Sequence, residues 1–244
     1  MNVKDLRSDW DAFGRSDPFW AILTLPEKRA NPWQAQEFFE TGLREIEELM
    51  RYIGSLGGSL HRRKALDFGC GVGRLTQALA GHFTEVHGVD VAPSMIELAE
   101  KYNRQGTGCR YHLNDVPSLR LFPDDTFDLI YSNITLQHID PKDTRQYLKE
   151  FVRVLAPRGL AIFQLPSRAA SPAKQFVKRT LAVTILRLCR TVGYLRRPII
   201  VMHSLKQEEV RRLIDESGGR IIDIQDYQSA GEGWFSHRYC VTKP

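Results

Sequence analysis

The chain has 244 residues, 42% of them hydrophobic and 26% charged, with a formal net charge of +5, which is long enough for a full core and too balanced for a disordered or fibrous protein. No window of 18 residues is apolar and uncharged throughout, which speaks against a membrane-spanning helix, and the opening MNVKDLRSDWDAFG has no apolar core followed by small residues, so no secretory signal is expected. The cysteines at 70, 109, 189 and 240 are far apart and form no CxxC pair, a pattern of reduced thiols in a cytoplasmic protein that offers zinc no site.

Residues 1–60 read as a helical cap. An aromatic-rich opening is broken into short units by Pro18, Pro26 and Pro32. In FFETGLREIEELMRYIGSL, Phe38, Phe39, Leu43, Ile46, Leu49, Met50 and Ile53 recur near helical spacing, and Gly57-Gly58 ends the run. From residue 61 to 244 helix and strand alternate in short blocks. KALDF is the first strand and GRLTQALAGHF the first helix; EVHGVD is followed by APSMIELAEKYN, with Pro93 in the first turn of that helix. CRYHL is a third strand and FDLIYSN a fourth, apolar enough to be buried on both faces. DTRQYLKEFVRVL, GLAIFQLP and KQEEVRRLIDESGG continue the alternation, and RIIDIQDY and HRYCVT close it as a hairpin. This is the pattern of a doubly wound α/β fold with a mostly parallel sheet.

Charge is unevenly spread. Between Glu150 and Glu208 there is no acidic residue, while 11 Lys or Arg lie there; removing those 11 from 34 leaves 23 basic residues against 29 acidic ones elsewhere. The basic segment overlaps a helical insertion at 167–202, after the fifth strand. Three readings stand open for it: a solvated helix, a lid over an anionic substrate, or an amphipathic helix resting on anionic lipid through 172–197. No nucleic-acid-binding module accompanies the charge, so no nucleic-acid partner is expected.

The chemistry concentrates in ALDFGCGVGR. Gly69, Gly71 and Gly73 alternate directly after a strand, where nucleotide-like ligands sit in sheets of this kind. The dinucleotide fingerprint would need glycine at 74, which is Arg74, and the acid Asp67 would draw a cation to the turn rather than a pyrophosphate. A nicotinamide-dependent oxidoreductase is thereby disfavoured. Asp90, at the tip of the second strand, can accept both hydroxyls of a ribose, and as an Asp it can also cap the following helix. After the third strand, Asp115 could take an adenine amino group and the Val116 amide a ring nitrogen. His138 in LQHI is the candidate general base, with the alternative that it only positions its neighbours; His203 and His237 are weaker candidates. Trp10, Phe13, Phe19, Trp20 and Trp33 can line a pocket or glue the cap to the domain.

Taken together, ALDFGCGVGRLTQALA, VHGVDVAPSMIELA, HLNDVPSLRLFPDDTFDLIYSNITLQHI and VLAPRGLAIFQLP resemble, in order and spacing over about residues 64–166, the successive motifs of class I S-adenosylmethionine-dependent methyltransferases. SDPFWAIL and EFFETGLREI resemble the N-terminal extension of small bacterial members, which caps the cofactor. The resemblance implies a Rossmann-like seven-stranded sheet of order 3-2-1-4-5-7-6 with the last strand antiparallel. It implies S-adenosyl-L-methionine as cofactor, with Gly69, Cys70, Gly71 and Gly73 around the methionine moiety and Asp67 supporting its amino group. Asp90 would hold the ribose, with Val91 and Met95 packed nearby, and Asn114, Asp115 and Val116 would address the adenine. Asn133 would lie near the methionine end, and Arg74 could reach the carboxylate. The function expected is methyl transfer to a small molecule, first to a hydroxyl oxygen of a bacterial metabolite. Nitrogen or carbon acceptors, or a protein that binds the cofactor without chemistry, are the alternatives.

Overall fold

The structure, a computed structural model, describes residues 3–171, 200–231 and 233–244. The expected insertion helix therefore lies outside the described residues, apart from its flanks. Helices α1 (Val3–Ser16), α2 (Pro18–Ile22) and α3 (Ala35–Ser55) precede the sheet. Then follow β1 (Lys64–Phe68), α4 (Arg74–Leu79), β2 (Glu85–Asp90), α5 (Pro93–Tyr102), β3 (Cys109–Leu113), β4 (Phe127–Ser132), α6 (Pro141–Val154) and β5 (Leu155–Ala169). Helix α7 (Gln207–Glu216) and strands β6 (Arg220–Asp226) and β7 (Trp234–Thr242) complete the chain.

The seven strands run in the order β3-β2-β1-β4-β5-β7-β6. The first five pair in parallel and β7 runs antiparallel to both neighbours, as expected. The order reverses between β1 and β4, so the chain leaves these adjacent strands in opposite directions and opens a crevice at their C-terminal ends. All six residues of β4 are buried, which matches its near-continuous apolar sequence at the sheet's centre. Strand β5 is longer than GLAIFQLP. It begins at Leu155 opposite Phe127, and its register then slips before Leu160 faces Leu129, with Arg158 at φ 63° in between.

Two apolar layers cover the sheet. On one face Phe151 of α6 and Ile214 of α7 pack with Ile130 and Phe163; on the other Ile46, Leu49 and Ile53 of α3 and Leu79 of α4 pack with Ala65, Leu129 and Ile162. Burying each of those α3 side chains is worth about 1.5–3 kcal/mol. Helix α3 is thus a covering layer of the sheet as well as part of the N-terminal segment. A third, aromatic cluster joins Phe13, Phe38 and Met95, and ties α1 and α3 to α5.

Candidate functional site

The turn after β1 bends because Gly69, Gly71 and Gly73 all take positive φ, at 78°, 52° and 81°. The amides of Gly69 and Cys70 both donate to Val89 O at 2.9 Å, which pins the turn to β2. Space is as restrictive as conformation. A Cβ at Gly69 would stand 2.2 Å from Thr135 Cγ2, and one at Gly71 would stand 2.6 Å from Ile22 Cδ1 of α2. The alternating glycines let two other segments of the same chain close against the backbone.

Around this turn lies a cleft of about 1010 Å³. Of the residues expected at a site, Gly69, Cys70, Gly71, Arg74, Asp90 and Val91 line it, as do Met95, Asn114, Asn133 and His138. Asp67, Gly73, Asp115 and Val116 do not. Gly73 caps α4 and abuts the Tyr111 ring. Asp115 is exposed and accepts an ion pair from Arg7 of α1 at 2.5 Å, and Val116 is exposed beside it. Asp67 is sealed beneath the turn, accepting a 2.6 Å hydrogen bond from Thr76 Oγ1. Burial lifts its carboxyl to about 7, against the pull of Thr76 and Arg74; the charges of Glu45 and Asp90 add to the rise.

Asp90 is held from two sides. Its Oδ2 accepts from Gly71 N and its Oδ1 from Ala92 N, each at 2.9 Å. Burial pushes its carboxyl upward, opposed by the Ala92, Gly71 and Val91 amides. Each oxygen keeps a free lone pair for a further donor, such as a vicinal diol. Next to it, Asn114 Nδ2 bridges Val116 O and Tyr147 OH, both at 3.3 Å.

His138 is not the free base that LQHI suggests. Its proton position follows from a chain of hydrogen bonds with a backbone group at each end. The Ile134 amide can only donate, and donates to Gln164 Oε1 at 3.2 Å. Gln164 Nε2 must then face outward, donating to Gln137 Oε1 at 3.1 Å and Ser236 Oγ at 2.6 Å. Gln137 Nε2 in turn donates to His138 Nε2 at 3.1 Å, which leaves the proton on Nδ1, facing Val201 O at 3.0 Å. Both ring nitrogens are engaged. Burial lowers the imidazole to about 4, against the favourable Val201 hydrogen bond, and the nearby His203 adds to the fall. The same network holds Ile134, a β-branched residue, at φ 59°, a conformation that costs about 1–3 kcal/mol and needs such anchoring.

Trp10, one of the aromatics offered above for a pocket, lines the cleft, and Asp11 and Glu45, which the sequence reading missed, support it. Helix α1 covers its mouth, with the Trp10 ring 5.3 Å from that of His138. It is fastened by Asp11, whose Oδ1 accepts from Ser94 N at 2.9 Å and so caps α5, which has no capping side chain of its own at Ala92. From α3, Glu45 reaches under the turn: Oε2 accepts from Arg74 at 2.7 Å, and Oε1 from Tyr131 OH at 3.0 Å and Asn133 Nδ2 at 2.7 Å. Arg74 is thereby committed to a carboxylate of the protein. Glu45 was hidden as one charge among many on an amphipathic helix. Gln164 did leave a signal, as the lone polar residue in GLAIFQLP. Asp67 feels the charges of Arg74, Glu45 and Asp90 together, so three carboxyl groups share this region with one guanidinium and the floor of the cleft favours a cationic ligand.

The profile of a family described as "Methyltransferase domain" matches residues 65–159, a span that holds the glycine turn, Asp90, Asn114 and His138. A malonyl-[acyl-carrier protein] O-methyltransferase of Halorhodospira halophila is 36% identical over 106 residues, covering 43% of this chain and 35% of that protein. Trans-aconitate 2-methyltransferase of Methylobacterium radiotolerans is 32% identical over 122 residues, covering 49% and 44%. The chain thus spans less than half the length of these curated relatives. Among solved structures, magnesium protoporphyrin IX methyltransferase of Synechocystis PCC 6803 with bound SAH superposes over 100% of both chains, with a TM-score of 0.63 at 15% identity.

Proposed function

We propose that the chain is a class I S-adenosylmethionine-dependent methyltransferase that transfers a methyl group to a small-molecule acceptor, and that the acceptor atom is an oxygen already ionised near neutral pH, such as a carboxylate. The cofactor, when bound, supplies an electrophilic methyl on a sulfonium. The residues of the cleft fit that group. Its negative floor suits the positive charge, Asp90 keeps a free lone pair on each oxygen for a ribose, and Asn133 Oδ1 and Arg74 Nε are buried without a partner among the described residues.

The acceptor class rests on one observation, the double engagement of His138. A hydroxyl acceptor would need a base to take its proton. Among the described residues that line the cleft, Asp90 is bound by two amides, Tyr147 is pushed well above its usual range by burial, and His138 has no free nitrogen. An anionic oxygen needs none of them. The malonyl- and aconitate-named relatives support an acidic acceptor, as does the run of 11 cations between Glu150 and Glu208, most of it outside the described residues. The chain's own contribution is then placement. The turn and Asp90 hold one partner, α1 and α2 exclude water, and the His138 network holds the Ile134–Ile139 wall.

Two measurements test this. Saturating S-adenosylhomocysteine at about 100 times Kd should stabilise the fold by about 2.7 kcal/mol, while NAD does nothing; stabilisation by NAD alone would overturn the assignment. With isotopically labelled cofactor, label should pass to carboxylic acids in preference to aliphatic alcohols and amines. Preferential labelling of alcohols or amines refutes the acceptor class.

A further inference from the structure

Two residues that line the cleft each carry a buried polar atom with no partner among the described residues, Asn133 Oδ1 and Arg74 Nε. Both side chains are bound, through their other ends, to one carboxylate, that of Glu45 on α3. We propose that Glu45 is a positioning residue for the α-amino-acid end of the cofactor, setting Asn133 to accept from its ammonium and Arg74 to donate to its carboxylate. The inference rests on the cofactor assignment above.

The argument is one of polarity. A carboxylate can only accept, so Asn133 must turn its NH₂ toward Glu45 Oε1, and its carbonyl oxygen must face away. Tyr131 OH donates to the same Oε1 at 3.0 Å and so holds it against rotation. Oε2 takes one NH₂ of Arg74 at 2.7 Å while Thr41 Oγ1 takes the other at 3.2 Å. Nε is the guanidinium nitrogen that makes no hydrogen bond among the described residues. One acceptor and one donor, both desolvated and both registered on a single anion, are the complement of a zwitterion carrying –NH₃⁺ and –COO⁻. Leaving either atom unpaired in a desolvated place is costly, and a ligand that pairs both removes that cost. Helix α3 can carry this duty because its apolar side is locked against the sheet by Ile46 and Leu49, which follow Glu45 within one helical turn and are buried.

The test compares two ligands that share the adenosine and differ in the amino-acid end, S-adenosylhomocysteine and 5′-methylthioadenosine. In the wild type the former should bind much more tightly. In Glu45→Ala the ratio of the two dissociation constants should fall at least tenfold, with methylthioadenosine affinity within twofold of wild type. That second value also certifies that the variant is folded. Glu45→Gln, which keeps an acceptor but no charge, should fall in between, and Asn133→Ala should reproduce part of the loss with Glu45 intact. An unchanged ratio overturns the proposal, and so does an equal weakening of both ligands, which is what a purely structural Glu45 would give. If the wild type binds neither ligand, it is the cofactor assignment that fails.

Discussion

Replacing His138 by Gln should make the protein less sensitive to mild acid, and the size of the effect follows from the hydrogen-bond chain. With Nδ1–H given to Val201 O and Nε2 accepting from Gln137, a second proton on the ring would set two donors against each other. Gln137 cannot turn to accept it without breaking its bond from Gln164, which is itself held by the Ile134 amide. Burial, with a smaller contribution from His203 and against the Val201 hydrogen bond, puts the folded-state value at about 4, against 6.5 in the unfolded chain. A depressed histidine gives stability that is fully present above pH 6.5 and is lost as the pH falls toward 4. Proton linkage over that interval amounts to about 2 kcal/mol at pH 5. Urea denaturation at pH 8 and pH 5 measures it. The variant should be less stable than wild type at pH 8, yet lose about 2 kcal/mol less between the two values. Carboxylates common to both proteins cancel in that difference. A loss equal to that of the wild type within about 0.5 kcal/mol, the usual additivity error, would refute both the depressed titration and the reasoning that removes His138 as a base.

Other outcomes follow from the same geometry. His87, buried between Glu85 and His112 and also lowered to about 4 by burial first and His112 second, should give a second share of the acid sensitivity, removed in His87→Phe and additive with that of His138→Gln. The pH–rate profile of the wild type should show no inflection near pH 6.5, since no free imidazole serves the reaction; a clear inflection there would restore a histidine base. Gly69→Ala meets Thr135 at 2.2 Å in a positive-φ position and should cost about 2–4 kcal/mol by urea titration, with part of the loss recovered when Thr135→Gly is added. Asp90→Ala should weaken S-adenosylhomocysteine at least tenfold by calorimetry, and near-normal affinity would remove Asp90 from ribose binding. Asp11→Ala, which uncaps α5, should cost about 1 kcal/mol and no more.

The strands, their order through the family resemblance, the glycine turn and Asp90 could be read in the residues because they are local. A turn with three positive-φ positions in five favours glycine at each of them, and a strand buried on both faces is mostly apolar, as β4 is. The acid at the tip of β2 sits at the crevice by topology alone. What the linear order could not carry is polarity between distant groups. Whether His138 is a base depends on Gln137, Gln164 and a backbone carbonyl 63 residues away at Val201. Whether Arg74 is available to a ligand depends on Glu45, 29 positions earlier on α3. Asp115, expected at the adenine from its sequence context, pairs with Arg7 of α1, which no local pattern could show. Hydrogen bonds and ion pairs are decided by which donors and acceptors packing brings within about 3 Å of each other. Packing is a property of the folded layers, so the roles of these side chains were settled only once α1 and α3 had closed over the sheet.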